Sequence, residues 1–348
     1  MADSYLKHTS IDDAIEQVLS TIQSERSGEQ LGLKTRFPKL NIAARKYFRF
    51  KSVNLWAGLS GHSKSYLLNQ VVEDFLDYRT PGSLNHDINF IPIVLYFCFE
   101  MSSTDEILRA CASDLGVNYN YLLSSHYNKD TNDYNTLTDE ELIKVRKFLE
   151  FYKKKNILFF ETSGNIRMIY NTVKAYHAGL EASRIKKGIK KPYKYIINVD
   201  HTLLIDQLGE KDILELMRNV GKYGGIIRKE FGAMVNLIGQ LNNKIEDIQR
   251  ILKPSLHYPV KSDIYAQAQL YNACDAVFTI HQPGMLKIDK YGKKQIPTPG
   301  LIHLQALKNR HGNIGNIWLF NNLANGSIIS YPSSDGQAEN DENINSIE

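Results

Sequence analysis

Apolar positions change their period along the chain, and each change marks an element. In "TSIDDAIEQVLSTIQSE", Ile11, Ala14, Ile15, Val18, Leu19 and Ile22 recur every three or four residues behind a capping residue, which predicts an amphipathic helix. The polar, glycine-containing stretch "RSGEQLGLKTRF" follows as a linker. A short helix tethered ahead of a domain ordinarily packs on that domain; the sharper alternative is docking on a neighbouring subunit. From about residue 50 strands and helices alternate. "SVNLWAG" reads as a strand, "KSYLLNQVVEDFLDY" as a helix, and "IPIVLYFCF" as a continuously apolar strand buried on both faces. Helices are predicted at 103–115, about 138–155 and about 165–183, with "NILFFE" a strand between the last two. "YKYIINVD" and "AMVNLIGQLN" are further strands flanking the helical "KDILELMRNVGKYGGIIRKEF". "DAVFTIH", "LIHLQAL", "NIWLFNN" and "SIISY" close the chain as strands with hairpin-like spacing. The pattern predicts an α/β fold: a mainly parallel sheet with helices on both faces, extended by late antiparallel strands.

Composition narrows this picture. At 348 residues the chain holds one large α/β domain or two small ones. No apolar run is long enough for a transmembrane helix, and the N-terminus lacks the apolar core of a signal peptide, so a cytoplasmic protein with no membrane partner is expected. Cys98, Cys111 and Cys274 are few and not spaced like metal ligands, the pattern of reduced thiols. The formal charge is +4, but residues 332–348 hold five acids and no Lys or Arg. Without that tail, 42 basic residues stand against 33 acidic ones, compatible with a polyanionic partner without demanding one. The expected division is a linker helix in 1–30, one domain in 31–331, and an acidic disordered tail in 332–348.

The candidate chemistry lies at strand ends. "AGLSGHSKSYLL" has the strand–loop–helix setting of a phosphate loop, in which backbone N–H groups and the helix N-terminus surround phosphate and a lysine adds charge. Gly58, Gly61, His62, Ser63, Lys64 and Ser65 form the candidate nucleotide-binding set, with Ser63 standing where glycine ordinarily lets the backbone approach phosphate. Read alone, the stretch is more simply an ordinary strand-to-helix turn with a solvated lysine. Glu100 ends a buried strand in "YFCFEMSS", where α/β folds place ligands and a carboxylate can polarise a water. Asp200 ends "YIINVD", the position of an acid that orients Mg2+. Gln240 and Asn242 end the next strand in "VNLIGQLNN" and suit sensing of a γ-phosphate. For each of these alone, a satisfied cap, ion pair or turn is the plainer reading.

In order, "GLKTRFPKLN", "AGLSGHSKS", "FCFEMSS", "NVDHTLLI", "GQLNNKIED" and "LQALKNRHGNIG" resemble the ATPase domain of DnaB-family replicative helicases, a RecA-like P-loop NTPase fold. The likeness spans roughly residues 10 to 330, and "FEM", "QLN" and the K-x-R-x-G cluster are its most specific parts. It implies ATP and Mg2+ as cofactors, with Lys64 on the β/γ-phosphates, Ser65 and Asp200 as metal ligands, Glu100 as catalytic base and Gln240 as γ-phosphate sensor. It also implies that Lys308 and Arg310 reach a neighbouring subunit's γ-phosphate, within a hexameric ring around single-stranded DNA. Two basic segments would face the strand. One follows Asp200, with Lys211, Arg218 and Lys222; the other is 243–263, with Lys244, Arg250, Lys253, Lys261 and Tyr258. The basic run "RIKKGIKKPYK" reads more simply as a solvated connection. The family's helical N-terminal domain has no counterpart in the roughly 30 residues ahead of the ATPase domain, so a primase or loader would be engaged differently. Richness in Asn, Lys, Ile and Tyr fits a compact, phage-like version working in a host cytoplasm. Two alternatives remain at this level: a RecA-like ATPase in recombination or strand handling without unwinding, and a nucleotide-binding scaffold with weak turnover.

Overall fold

The computed structural model describes residues 9–265 and 267–331. The expected acidic tail, 332–348, lies outside the described residues. The centre is a nine-stranded sheet of β1 (Ser52–Gly58), β2 (Ile91–Cys98), β3 (Ile157–Phe160), β4 (Tyr193–Asp200), β5 (Met234–Gln240), β6 (Ala276–His281), β7 (Leu301–Asn309), β8 (Gly315–Asn322) and β9 (Ser327–Ser330), in the order β9-β8-β7-β6-β1-β5-β4-β2-β3. The six strands from β6 to β3 run parallel, and β7 to β9 extend the sheet antiparallel, as the sequence pattern predicts.

The principal helices are α1 (Ile11–Arg26), α2 (Lys64–Leu76), α3 (Ser103–Leu115), α4 (Asp139–Tyr152), α5 (Ile166–Lys186), α6 (Ile213–Glu230) and α7 (Gln267–Ala273). Capping explains several of their starts. The Ser10, Ser102 and Asn165 side chains each accept a backbone N–H from the first turn, and Thr138 and Glu141 form a reciprocal capping box. Each removes one of the unpaired donors that a helix start otherwise exposes.

Side chains alternating along the parallel strands feed two cores. Trp56, Tyr96, Ile196, Ile238 and Phe278 pack beneath α2, while Leu55, Leu95, Ile197, Leu237 and Val277 pack against α5 and α6. A buried polar row crosses the first of these faces. Asn54 Nδ2 donates to Asn236 Oδ1 at 3.0 Å, and Asn236 Nδ2 donates to Asn198 Oδ1 at 2.8 Å. These asparagines stand in register on β1, β5 and β4, so a slip of one strand would strand buried amides among apolar groups. Asn198, which interrupts an apolar run in sequence, is thus the outer member of a register-setting row.

α1 departs from the ordinary expectation for a tethered helix. None of its residues is buried, and Ile11, Ile15, Val18, Leu19 and Ile22 are each at least half exposed. Its C-terminal end is anchored, where Glu25 accepts from the Tyr47 hydroxyl and pairs with Lys46 and Arg49. Among the described residues no helix is long and apolar enough to cross a membrane.

Candidate active site

Sequence order puts the loop 59–63 directly after β1, at the C-terminal edge of the parallel strands. Gly58 has no room for a side chain: a Cβ there would lie 2.7 Å from the Ile280 carbonyl oxygen and 2.9 Å from Lys64 Cγ. Gly61 (φ +75°) and Ser63 (φ +61°) both adopt the left-handed region. For serine that conformation costs about 1–2 kcal/mol relative to glycine. Ser63 is held there from outside, because Gln282 Nε2, just past the end of β6, donates to its hydroxyl at 2.7 Å. Asn321 Nδ2 in turn donates to Gln282 Oε1 at 3.3 Å.

Lys64 opens α2 and is buried, its Nζ donating to the Leu59 carbonyl at 2.9 Å. Burial lowers its pKa, opposed by the charges of Glu100 and Asp200. Asp200, at the tip of β4, is 1% exposed. Desolvation pushes its carboxyl up to about 6, reinforced by the Glu100 charge and resisted by a hydrogen bond from Ser65 and by the Lys64 charge. Asp200 Oδ1 is among the buried oxygens without a protein partner. Glu100 is exposed just beyond β2, and the N–H of its neighbour Phe99 donates to the Asp200 carbonyl at 2.6 Å. Gln240 ends β5 half-buried, and burial lowers the pKa of the nearby His201 to about 4. The Gln240 backbone oxygen accepts Tyr265 N–H, and Gly58 O accepts Leu241 N–H, so the tips of β1 and β5 and the following segment are tied together. Lys64, Ser65, Glu100, Asp200 and Gln240 therefore converge on one edge of the sheet. Asn242 is spent on local structure, accepting Lys244 N–H and donating to Ser262 O.

Lys308 and Arg310 do not join this group. Antiparallel pairing puts Leu304 beside Ile280, level with Gly58, and Lys308 beside Val277, four residues further along β7. At ~3.3 Å per residue, that is roughly 13 Å down the strand and away from the loop. Lys308 Nζ donates to Tyr271 O at 2.6 Å, and Arg310 pairs with Asp275 at 3.1 Å. Arg310 is about half exposed all the same, beyond the far end of β7 from the loop 59–63.

The basic residues of 243–263 differ among themselves. Lys244 and Lys253 are exposed. Lys261 lies over the Tyr271 ring at 4.7 Å. Arg250 turns inward, pairing with the buried Asp263 at 2.6 Å and donating to the carbonyls of Leu256 and Tyr258 at 3.0 Å each. Lys211, Arg218 and Lys222, just before and along α6, are exposed.

A buried cluster next to the site escapes sequence reading. Glu106, on α3, is fully buried; Asn69 Nδ2 of α2 donates to it at 2.5 Å and Arg109 stands 3.8 Å away. Desolvation pushes its carboxyl up to about 7, opposed by Arg109 and Asn69 and reinforced by Asp200. Glu106 and Ala110 share the buried stripe of α3 at i, i+4 spacing, the one signal that could have located it.

A serine hydroxyl beside a buried carboxylate whose Oδ1 has no protein partner is a hard-oxygen donor pair, which fits Mg2+ taking its remaining ligands from phosphate and water. Among the described residues no cluster of three or more His, Cys, Asp or Glu forms a cage for a metal.

A parallel sheet carrying such a loop on its central strand, with an acid two strands away and antiparallel strands appended, defines a RecA-like α/β domain. No family model and no curated protein matches the chain. Solved structures do. One, an ATPase domain, aligns with a TM-score of 0.71 over 94% of this chain and 100% of that one, at 16% identity. A DnaB-like replicative helicase, described with its interactions with primase, aligns at 0.68 over 94% of this chain and 68% of that one, also at 16% identity. At such identity the likeness establishes the fold, that of the RecA-like domain of DnaB-family helicases.

Proposed function

We propose that the protein is an ATP-hydrolysing motor that assembles into a ring of six copies and moves along single-stranded DNA as a replicative helicase. The observation that carries this reading is a separation within one chain. Lys64, Ser65, Glu100 and Asp200 meet at one edge of the sheet, while Lys308 and Arg310 stand far down β7 and away from it. A site with its two halves on separate faces is completed by a neighbour, which favours a ring or filament over a monomer.

In this reading the N–H groups of the loop and of α2 bind the phosphates, and Lys64 neutralises the β/γ-oxygens. Ser65 and Asp200 would hold Mg2+, which supplies Lewis-acid stabilisation of the phosphate charge. Glu100, exposed to solvent beside Asp200, takes a proton from the attacking water as its oxygen bonds to the γ-phosphorus and the bond to the β–γ bridging oxygen breaks. Gln240 orients the γ-phosphate side and carries its state, through the Tyr265 N–H held by its own carbonyl, to the segment after it. Arg310 and Lys308 of a neighbour balance charge on the transferred group. Lys244 and Lys253, exposed on 243–263, suit the phosphate backbone of the strand; Arg250, bound to Asp263, serves to shape that segment. The free apolar stripe of α1 fits docking on the next subunit. A primase or loader is the further partner this reading calls for, in the cytoplasm of the cell or of a phage host.

The test is ATP hydrolysis with and without single-stranded DNA, with Lys64→Ala as control. DNA-stimulated turnover that disappears in the variant supports the motor. Nucleotide binding with no turnover in the wild type would favour a scaffold instead, and turnover insensitive to DNA would count against a strand-tracking role.

A further inference from the structure

A row of buried rings leaves the phosphate loop in a direction that hydrolysis itself does not use. His62, inside the loop, stacks on His281 with ring centroids 5.4 Å apart and 9° between planes, and its Nδ1 accepts the Gln282 N–H at 2.9 Å. His281 Nδ1 lies 2.8 Å from the Tyr291 hydroxyl. That hydroxyl is also 3.0 Å from His303 Nδ1 and 3.3 Å from the His257 carbonyl oxygen. His62, His257, His281, Tyr291 and His303 are all buried. The row thus begins at the nucleotide loop and ends at His257, inside the 243–263 segment.

Donor and acceptor roles follow from the partners. His303 Nε2 faces Asn316 Oδ1 at 2.8 Å and therefore carries the proton, leaving His303 Nδ1 to accept from Tyr291. His257 Nδ1 accepts the Gly292 N–H at 3.0 Å, so its Nε2 donates to Ile251 O at 2.9 Å. With its one proton given to His303, the Tyr291 oxygen accepts from His281 Nδ1, and His281 Nε2 is left buried without a partner. Rotation about the hydroxyl offers that proton one other acceptor, the His257 carbonyl. Tyr291 is therefore a two-position donor between β7 and the 243–263 segment. Burial holds His62 and His303 near 4 and His281 well below its ordinary value, so these rings are uncharged near neutral pH and act through hydrogen-bond geometry.

The hairpin carrying Tyr291, Lys290–Tyr291 paired with Ile296–Pro297, clamps the same segment by packing. Gly292, at φ +64°, lies so close to Tyr258 that a Cβ there would sit 2.5 Å from its hydroxyl oxygen. Movement of the hairpin is therefore transmitted to His257 and Tyr258 without slack.

We infer that Tyr291 is a positioning residue that couples the phosphate loop to the 243–263 segment, so that filling the loop with nucleotide resets that segment through His62, His281 and the Tyr291 hydroxyl. The inference rests on the reading of 59–65 as a nucleotide site, and two separate readouts keep the two claims apart. Binding of a fluorescent ATP analogue is measured alongside hydrogen exchange over 243–263, with and without ATPγS and Mg2+, in the wild type, Tyr291→Phe and His281→Gln. Tyr291→Phe keeps the ring and removes the switchable donor. The expected result is a nucleotide-dependent change in exchange of roughly threefold or more in the wild type, lost in both variants while analogue affinity stays within about twofold. A nucleotide-dependent change that persists in Tyr291→Phe would overturn the inference, as would a wild type that binds nucleotide with no change over 243–263. A wild type that binds no analogue would overturn the nucleotide-site reading itself, and the binding assay alone reports that.

Discussion

Gln282 Nε2 donates to the Ser63 hydroxyl at 2.7 Å, joining the end of β6 to the position in the loop 59–63 where serine stands in place of the glycine usual in a phosphate loop. The bond offsets the cost of a left-handed serine and ties its side chain to β6. Residue 63 therefore departs from the usual phosphate-loop sequence while keeping a backbone conformation that glycine would adopt.

This pairing is testable by a double-mutant cycle. Gln282→Ala leaves the strained serine unsupported and is expected to cost about 0.5–1.5 kcal/mol of stability, with weaker nucleotide binding. Ser63→Gly relieves the strain but loses the bond and loosens the unfolded chain, so alone it should be close to neutral. In the Ser63→Gly background Gln282→Ala should cost much less, and equal costs in both backgrounds, by thermal or urea unfolding, would contradict the coupling.

Glu106 predicts a pH dependence of stability. Its folded pKa, about 7, lies above the ordinary carboxylate value of 4.5 because burial disfavours the charge. Its contribution is therefore fully present below about pH 4.5 and is lost as pH rises through 7. Glu106→Gln, which keeps an oxygen for Asn69, should be more stable than the wild type at pH 8 by up to about 3 kcal/mol, the gap closing toward pH 4.5. Unfolding curves at the two pH values check this; a variant less stable at pH 8 would mean that the Arg109 pair outweighs desolvation.

α1 predicts an assembly phenotype. Deleting residues 1–28, or placing a charge on the stripe with Leu19→Lys, should dissolve the oligomer while leaving a folded protein, since no α1 side chain is buried within the chain. Sedimentation velocity with far-UV circular dichroism reads both properties, and an unchanged oligomer in the truncated protein would contradict docking in trans.

Much of this architecture is legible in sequence because parallel strands buried on both faces are written as unbroken apolar runs, and because the candidate site residues follow such runs at strand tips. Lys64, Glu100, Asp200 and Gln240 are readable for that reason, and the structure brings them to one edge. Glu106 is not, since an acid in "STDEILRACASDL" resembles a solvated helix face until α2 supplies Asn69 across the interface. Arg250 reads as one more basic loop residue, and only the fold reveals Asp263 beside it. Gln282 and Tyr291 are silent in sequence because their partners lie elsewhere along the chain, Ser63 for one and His257 and His303 among those of the other, and long-range hydrogen bonds leave no local period. α1 is legible as a helix, whereas the exposure of its apolar stripe is not.

The central claim, a hydrolytic site shared between adjacent copies, is tested most directly by mixing two variants. Lys64→Ala retains Arg310 for a neighbour, and Arg310→Ala retains a complete phosphate loop. Each alone should lose at least ~100-fold in ATP hydrolysis with single-stranded DNA present. Mixed and allowed to exchange subunits, they should recover a substantial part of wild-type turnover, because some interfaces then pair an intact loop with an intact arginine. A mixture no more active than the two variants assayed separately would contradict a shared site and return Arg310 to its intrachain pairing with Asp275.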